Sequence, residues 1–176
     1  KYFPYPEEMN RRLAGVLCDL HFAPTQSNKS NLLNEGIKED KIYVTGNTVI
    51  DALKTTVRDD YSFDDETLKN VDFSKHRVIT VTAHRRENLG KPLENICKSL
   101  RRLADSYSDV EIIYSVHLNP AVQEVAARIL GGHSRIRLIN PLGVQDMHNL
   151  MNRSYMILTD SGGLQEEAPA LGKPVL

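Results

Sequence analysis

Cysteine, net charge and long apolar runs are all scarce in this sequence, and each shortage excludes a class of protein. The two cysteines, Cys18 and Cys97, are far apart and form no CxxC or Cys/His spacing, which argues against disulfides and a zinc site. A net charge of −1 provides no basic surface for nucleic acid. No apolar run approaches the roughly 20 residues of a membrane span, and nothing resembles a signal peptide. We therefore expect a cytoplasmic protein that binds neither nucleic acid nor membrane.

What the sequence does contain is typical of a globular protein. Hydrophobic residues make up 40% and charged residues 26% of the 176 residues, which suits one sizeable core or parts of two. Both ends resemble cuts, because the chain starts at Lys1 without an initiator methionine and stops at Leu176, where a strand has just begun. Since an unfinished strand leaves a sheet edge open, we expect the chain to be part of a longer protein.

From Val78 onward, apolar runs alternate with helical patterns. The apolar runs predict strands at residues 78–82, 110–116, 136–139 and 156–159. Helices are predicted at residues 92–106, 121–130, 145–152 and 163–171. Strands rich in Val and Ile, without strict alternation, are typical of a parallel sheet covered by helices on both faces. We therefore predict an α/β, Rossmann-like domain whose ligand binds at the carboxyl ends of the strands.

The first part of the chain has a less regular pattern. It predicts short strands at residues 21–23 and 42–45, and helices at residues 6–20, 25–34 and 47–57. The polar stretch 58–75 is the best candidate for a linker or a variable excursion. The domain hypothesis is therefore a first part at residues 1–57, a linker at 58–75 and a nucleotide-binding domain at 76–176.

The most informative motif begins at Thr159 and reads Thr-Asp-Ser-Gly-Gly-Leu-Gln-Glu-Glu-Ala-Pro. It follows a predicted strand and opens a predicted helix, whose first N–H groups and positive dipole end suit an anion. A phosphate there would be held by Ser161 and by the amides of Gly162 and Gly163. Glu166 or Glu167, a turn further on, could accept from a sugar hydroxyl. The alternative is a plain strand-to-helix turn in which glycine serves only backbone shape.

A second motif, His84-Arg-Arg-Glu-Asn88, also follows a predicted strand directly. Two guanidinium groups and an imidazole at the carboxyl end of a strand could clamp an anion and carry a proton. The alternative is a solvated charged loop with internal Arg–Glu pairing.

Two weaker motifs complete the set. His117-Leu-Asn-Pro120 follows another strand, where the imidazole could bind a ligand or be merely structural. In Pro4-Tyr-Pro-Glu-Glu8, the prolines fix the approach to a helix and present Glu7 at a defined angle. The alternative is that both glutamates only compensate the positive end of the helix dipole and have no role in function.

Taken in order, these motifs, together with Val44-Thr-Gly-Asn-Thr-Val-Ile-Asp51, resemble the non-hydrolysing UDP-N-acetylglucosamine 2-epimerases from end to end. The resemblance implies two Rossmann-like domains facing each other across a cleft, the glycosyltransferase-B (GT-B) architecture. Residues 1–57 would then be the end of the amino-terminal domain and the crossing segment, and 76–176 a truncated carboxyl-terminal domain. It also implies a bacterial homodimer that uses no metal or redox cofactor and supplies mannosamine units for cell-surface polysaccharides.

The chemistry implied by the resemblance is reversible inversion at carbon 2 of UDP-N-acetylglucosamine, which gives UDP-N-acetylmannosamine. UDP is eliminated with the carbon-2 proton to give 2-acetamidoglucal, and then adds back with the proton on the opposite face. In that family Glu7 and His84 match positions implicated in catalysis. Ser161 and Gly162 match diphosphate contacts, and Glu167 matches the residue that binds the ribose.

The resemblance also implies a second, allosteric site for UDP-N-acetylglucosamine, at positions matched by Arg85 and His117, with Glu7 beside it. Two further catalytic carboxylates of the family have no counterpart in this chain. Because misplacement of about 1 Å can cost roughly 100-fold, we expect the 176-residue chain alone to be inactive. The alternatives are a GT-B glycosyltransferase that uses a UDP-sugar and a UDP-binding module without catalysis.

Overall fold

The structure, a computed structural model, describes residues 4–176, and residues 1–3 lie outside the described part. The chain divides into two compact units, Lys1–Asp51 and Ala52–Leu176. We refer to these as unit 1 and unit 2.

Unit 1 is built around a pair of short parallel strands. Its elements are α1 (Glu7–Leu17), β1 (His21–Ala23), α2 (Gln26–Asn34), a 3-10 turn (Glu39–Lys41), β2 (Ile42–Val44) and the start of α3 (Thr48–Thr56). β1 and β2 pair with His21 opposite Ile42. Thr25 caps α2 as predicted, since its side chain accepts a hydrogen bond from Asn28 N at 3.3 Å. The helix predicted at 6–20 is shorter, because the chain becomes extended at Cys18.

Unit 2 is a doubly wound α/β fold. Its helices and strands are α4 (Glu66–Lys69), β3 (Arg77–Thr82), α5 (Lys91–Ser106), β4 (Val110–Ser115), α6 (Pro120–Leu130), β5 (Ile136–Ile139), α7 (Val144–Arg153), β6 (Met156–Thr159) and α8 (Gly162–Ala170). The four strands are all parallel and lie in the order β5-β4-β3-β6. This confirms the predicted parallel sheet and its elements to within one or two residues.

The two faces of the sheet are buried against different partners. On one face, Ile79, Val81, Ile112 and Tyr114 pack with apolar residues of α5 and α6. The other face carries Val78 and Ile113, which pack with Leu150 of α7 and with the segment before β3. A smaller cluster joins β6 to α7 and α8. Because successive side chains of a strand point to opposite faces, a doubly covered sheet buries both sets, and β3 from Val78 onward and all of β4 are buried.

Residues 58–75, predicted as a linker, belong to this second face. Asp65 caps α4 through hydrogen bonds from Thr67 N and Leu68 N. The aromatic and aliphatic side chains of the segment are buried in the core, namely Tyr61, Phe63, Leu68 and Val71. The segment is thus polar in composition but packed through its few apolar residues. The domain boundaries proposed at its two ends stay a prediction.

The sheet order also locates a topological switch point. β3, β4 and β5 follow one another outward from β3, whereas β6 returns to pair with the opposite side of β3. The chain therefore leaves β3 and β6 in opposite directions, and the loops after these two strands open a crevice at the carboxyl edge of the sheet. Ligands of open α/β sheets bind in this place.

Candidate functional site

The loops that follow β3 and β6 are joined through Asp160. Its Oδ2 atom accepts hydrogen bonds from His84 N at 2.9 Å, Arg85 N at 2.8 Å and Asn88 Nδ2 at 2.9 Å. Arg85 Nε in turn donates to the Asp160 carbonyl oxygen at 2.8 Å. The structure thus brings together the two motifs that the sequence analysis had treated separately.

Hydrogen bonds from residues of the strands hold both loops in place. Thr82 and Thr159, the last residues of β3 and β6, share a side-chain hydrogen bond of 2.6 Å, and Thr159 Oγ1 also accepts from Ser161 N at 3.0 Å. Tyr114 donates its hydroxyl proton to the carbonyl oxygen of Ala83 at 2.8 Å. Burial raises the pKa of the Tyr114 phenol well above its usual value, so this donor keeps its proton. The loop backbone is therefore fixed before any ligand arrives.

The amino terminus of α8 has the properties of an anion site. Ser161 is its N-cap residue and forms no capping hydrogen bond with its side chain, and the first turn carries no acidic residue. The first N–H groups of a helix lack intrahelical partners, and the dipole adds positive potential there. Ser161 Oγ and the amides of Gly162 and Gly163 are therefore available to an anion, and their binding of a phosphate stays a prediction.

Arg85 completes the positive side of this site. A Cβ atom added at Gly162 would lie 3.5 Å from Arg85 Nη2, so the guanidinium group lies against the start of α8. Neither Gly162 nor Gly163 has a positive φ angle. Backbone shape therefore does not require glycine here. A turn in which glycine serves only backbone shape is therefore not supported by the φ angles, and close approach of a ligand to the backbone stays a prediction.

Two imidazoles lie side by side at the same edge. The rings of His84 and His117 stack with their centroids 5.1 Å apart and an angle of 26° between their planes. His117 Nδ1 accepts a hydrogen bond from Asn119 N at 3.0 Å, so a neutral ring carries its proton on Nε2. Both side chains are exposed. The predicted catalytic His84 and the predicted allosteric His117 are thus direct neighbours.

Glu167 lies one turn beyond the glycines and is buried, with 8% of its surface exposed. Its Oε2 atom is 3.4 Å from Nε2 of His148, which is also buried. A Cβ atom added at Gly163 would lie 3.7 Å from Glu167 Oε1. Oε1 is therefore next to the first turn of α8, on the side where the sequence analysis places a nucleotide.

The fourth motif lies in unit 1, where the two glutamates differ. Glu8 accepts hydrogen bonds from Arg11 at 2.8 Å and Arg12 at 2.9 Å, and these lower the pKa of Glu8 to about 2. Glu7 is exposed at the start of α1. Glu8 thus has a structural role, while the catalytic role of Glu7 stays a prediction.

Sequence reasoning gave no role to three residues that build the site. Asp160 and Asn88 were quoted within their motifs, but their mutual hydrogen bond depends on the pairing of β3 with β6. The sequence analysis gave no role to His148. The structure shows Asp146, His148 and Asn149 among the buried residues of α7. Polar side chains on the buried side of a helix need partners.

Two further findings concern the described residues only. Within residues 4–176, the His, Cys, Asp and Glu side chains form no group of three or more that could hold a metal ion. The same part of the chain contains no helix with the length and apolarity needed to cross a membrane.

Comparison with known proteins gives a consistent result. The family model for UDP-N-acetylglucosamine 2-epimerase matches residues 1–176. The UDP-N-acetylglucosamine 2-epimerase of Bacillus subtilis (strain 168) is 56% identical over 176 residues, which are 100% of this chain and 45% of that protein. The chain therefore spans about half the length of the curated relatives that it matches.

Solved structures show the same likeness. The S. aureus MnaA–UDP co-structure is 55% identical with a TM-score of 0.86, over 99% of this chain and 46% of its own. The UDP-GlcNAc 2-epimerase from Neisseria meningitidis, crystallised with UDP-GlcNAc bound, is 44% identical with a TM-score of 0.86, over 99% of this chain and 48% of its own. This likeness confirms the predicted α/β fold of the GT-B type.

Proposed function

Because the chain belongs to the UDP-N-acetylglucosamine 2-epimerase family, we propose that the whole protein interconverts UDP-N-acetylglucosamine and UDP-N-acetylmannosamine. The observation that carries the proposal is the bonding of Asp160 to His84 and Arg85. It holds the backbone of both residues beside the loop that leads into α8, and the Arg85 guanidinium group lies against Gly162. An elimination that expels a diphosphate needs cationic and N–H groups where negative charge develops.

In this proposal the nucleotide binds along α8. Ser161 and the amides of Gly162 and Gly163 hold the diphosphate, and Glu167 accepts from the ribose hydroxyls. The absence of acidic residues from the first turn of α8 supports this placement, since a carboxylate there would compete with the phosphate.

The reaction proceeds by elimination and re-addition. A base takes the proton from carbon 2, the electron pair forms the double bond to carbon 1, and the bond from carbon 1 to the UDP oxygen breaks. UDP then adds to the resulting 2-acetamidoglucal, and a proton is delivered to the opposite face of carbon 2. Glu7 and His84 are the residues of this chain proposed for the proton transfers and for stabilising the departing UDP.

The same family resemblance leads us to propose a second substrate site and a homodimer. Arg85 and His117, with Glu7 beside them, would bind a second UDP-N-acetylglucosamine that activates the enzyme. The stacking of His117 on His84 supports such coupling, because a ligand held by one ring would change the surroundings of the other. We expect the 176-residue chain by itself to be inactive, since half of the cleft cannot orient the sugar.

The test is proton NMR of the whole protein with UDP-N-acetylglucosamine in deuterated water. We expect deuterium at carbon 2 and both epimers in solution without any acceptor. A folded protein that binds UDP but gives neither exchange nor a second epimer would contradict the proposal and favour a glycosyltransferase. Release of free N-acetylmannosamine would instead indicate a hydrolysing enzyme.

A variant pair makes this test specific to the site. His84→Asn should abolish deuterium exchange while UDP still binds. His133→Asn is the matched control, because His133 pairs with Asp105 and lies outside the proposed site. The activity of this variant should remain within about twofold of the parent.

A further inference from the structure

The buried carboxylate of Glu167 has a fixed and asymmetric environment. Oε2 lies 3.4 Å from His148 Nε2, and only 10% of the Glu167 side chain and 7% of the His148 side chain are exposed. Oε1 lies beside Gly163 at the first turn of α8. A carboxylate so far from water needs a partner to remain charged, and His148 is in the position to provide it.

His148 is in turn held by Thr56, the last residue of α3. The Nδ1 atom of the ring is 2.8 Å from Thr56 Oγ1. Thr56 Oγ1 also lies 3.1 Å from the carbonyl oxygen of Ala52, one turn earlier in the same helix. Thr56, His148 and Glu167 therefore form a chain of contacts that joins the end of α3, the middle of α7 and the middle of α8.

The positions of the protons determine which group donates in each of these contacts. A lone pair on Nε2 would repel the Glu167 carboxylate, so Nε2 must carry a proton. If the ring is neutral, Nδ1 accepts the proton of the Thr56 hydroxyl. If the ring is charged, Nδ1 donates to Thr56, whose hydroxyl then donates to the Ala52 carbonyl oxygen. In both states Nε2 carries a proton and makes the 3.4 Å ion-pair contact with Glu167 Oε2.

We propose that His148 is a positioning residue for Glu167, which holds Oε2 so that Oε1 is presented to the ribose of the bound nucleotide, with Thr56 fixing the ring. This inference rests on the proposed function, in which Glu167 binds the ribose hydroxyls. His148 itself does not touch the nucleotide. Its effect is to restrict the rotation of the glutamate side chain.

The experiment compares the binding of UDP and of 2′-deoxy-UDP to the whole protein by titration calorimetry. A hydrogen bond to a charged group should make the parent prefer UDP by about tenfold or more. His148→Ala should reduce this preference to below about threefold, chiefly by weakening UDP binding. His148→Gln should restore part of the preference, because its side-chain amide can donate in place of Nε2–H.

Two further variants provide the controls. His133→Ala removes another histidine–carboxylate pair, with Asp105 at 3.1 Å, and should keep the full preference for UDP. Thr56→Val removes the hydroxyl and should reduce the preference, whereas Thr56→Ser should retain it. If His148→Ala does not fold, the comparison of Thr56→Val with Thr56→Ser decides the question.

The possible outcomes separate this inference from the proposed function. A parent protein that binds both ligands equally would contradict the ribose role of Glu167, and with it this part of the proposed function. A parent that prefers UDP, together with a His148→Ala variant that prefers it to the same degree, would overturn the positioning role alone. Equal loss of affinity for both ligands would likewise overturn it, since a general structural defect has no preference for the 2′-hydroxyl.

Discussion

Asp160 accepts the backbone N–H of Arg85 at 2.8 Å, and the Arg85 side chain returns a hydrogen bond of 2.8 Å to the Asp160 carbonyl oxygen. This reciprocal pair ties the loop after β3 to the loop after β6. It also aims the guanidinium group at the start of α8. A single carboxylate thus fixes the backbone from which the Arg85 guanidinium and the His84 imidazole project.

Asp160→Asn should therefore damage both stability and catalysis. Hydrogen bonds to a charged group are lost, so the unfolding free energy should fall by about 1–3 kcal/mol. Because the loop that carries His84 and Arg85 loses its anchor, the kcat/KM of the whole protein should fall by roughly tenfold or more. Denaturant unfolding and epimerisation kinetics measure the two effects.

The control for this variant is Asp109→Asn. Asp109 bonds to Arg77 at 2.6 Å, where β3 begins, at the opposite edge of the sheet, and the pair is exposed. An exposed pair contributes about 0–1 kcal/mol, so stability should change little and kcat/KM should not change. Equal activity losses in both variants would contradict a specific role for Asp160.

Glu167→Ala should weaken UDP binding by about 1–3 kcal/mol, roughly 5-fold to 150-fold, because the ribose hydroxyls lose a charged acceptor. Calorimetry with UDP measures this change. Glu124→Ala, on the exposed surface of α6, is the matched control and should bind UDP normally. Unchanged affinity in Glu167→Ala would reject the assignment of this carboxylate to the ribose.

Gly163→Ala should separate binding from stability. The methyl group would meet Glu167 Oε1 at 3.7 Å, an ordinary contact, so the unfolding free energy should stay the same or rise by up to about 1 kcal/mol. UDP affinity should nevertheless fall by about tenfold, because the methyl group occupies space that the nucleotide needs. Thermal unfolding and UDP titration of the same sample test both parts.

Gly172→Ala, just after the other end of α8, should show the opposite pattern. Gly172 has a φ angle of 68°, a conformation that costs a side chain about 1 kcal/mol. Stability should fall while UDP affinity remains. If the two variants lost affinity to the same degree, the effect of Gly163→Ala would reflect disturbance of the helix rather than a blocked site.

Tyr61→Phe should change the response of stability to alkaline pH. The Tyr61 hydroxyl donates to Asp146 Oδ1 at 2.8 Å, and burial together with this carboxylate raises the pKa of Tyr61 from 10.0 to about 12. Because the pKa of Tyr61 is raised on folding, its protonated hydroxyl group stabilises the folded state below pH 10. This stabilisation is lost as the pH rises through 12.

The variant should therefore be about 1–3 kcal/mol less stable than the parent at neutral pH, and this difference should narrow between pH 10 and 12. Urea unfolding across this range measures it. Tyr43 is 49% exposed, so Tyr43→Phe is the control. Its unfolding free energy should differ from that of the parent by less than about 0.5 kcal/mol throughout this pH range. A constant difference for Tyr61→Phe would contradict the proton linkage.

Much of the fold was predictable because local patterns and burial agree. Val- and Ile-rich runs in β3 and β4 indicated strands buried on both faces, and the pattern of residues 25–34 indicated α2. The segment 58–75 was harder to interpret. Its few apolar residues are surrounded by acidic ones, so its composition concealed the burial of Tyr61 and Phe63.

The candidate site was predictable only in parts. Each motif follows a strand or starts a helix, so the sequence indicated that His84, His117 and Ser161 lie at one edge of a parallel sheet. It could not indicate that His84 stacks on His117, or that Arg85 reaches Gly162. Those contacts depend on distances across strands that are far apart in the chain.

The sequence by itself determined the periodicities, the helix start at Ser161 and the resemblance to the epimerase family, because these depend on neighbouring residues and on the order of motifs. The tertiary structure decided that β6 pairs with β3, which places Asp160 beside His84, and that α7 packs His148 against Glu167. Strand order is set by which faces can be buried together, and no local pattern encodes it.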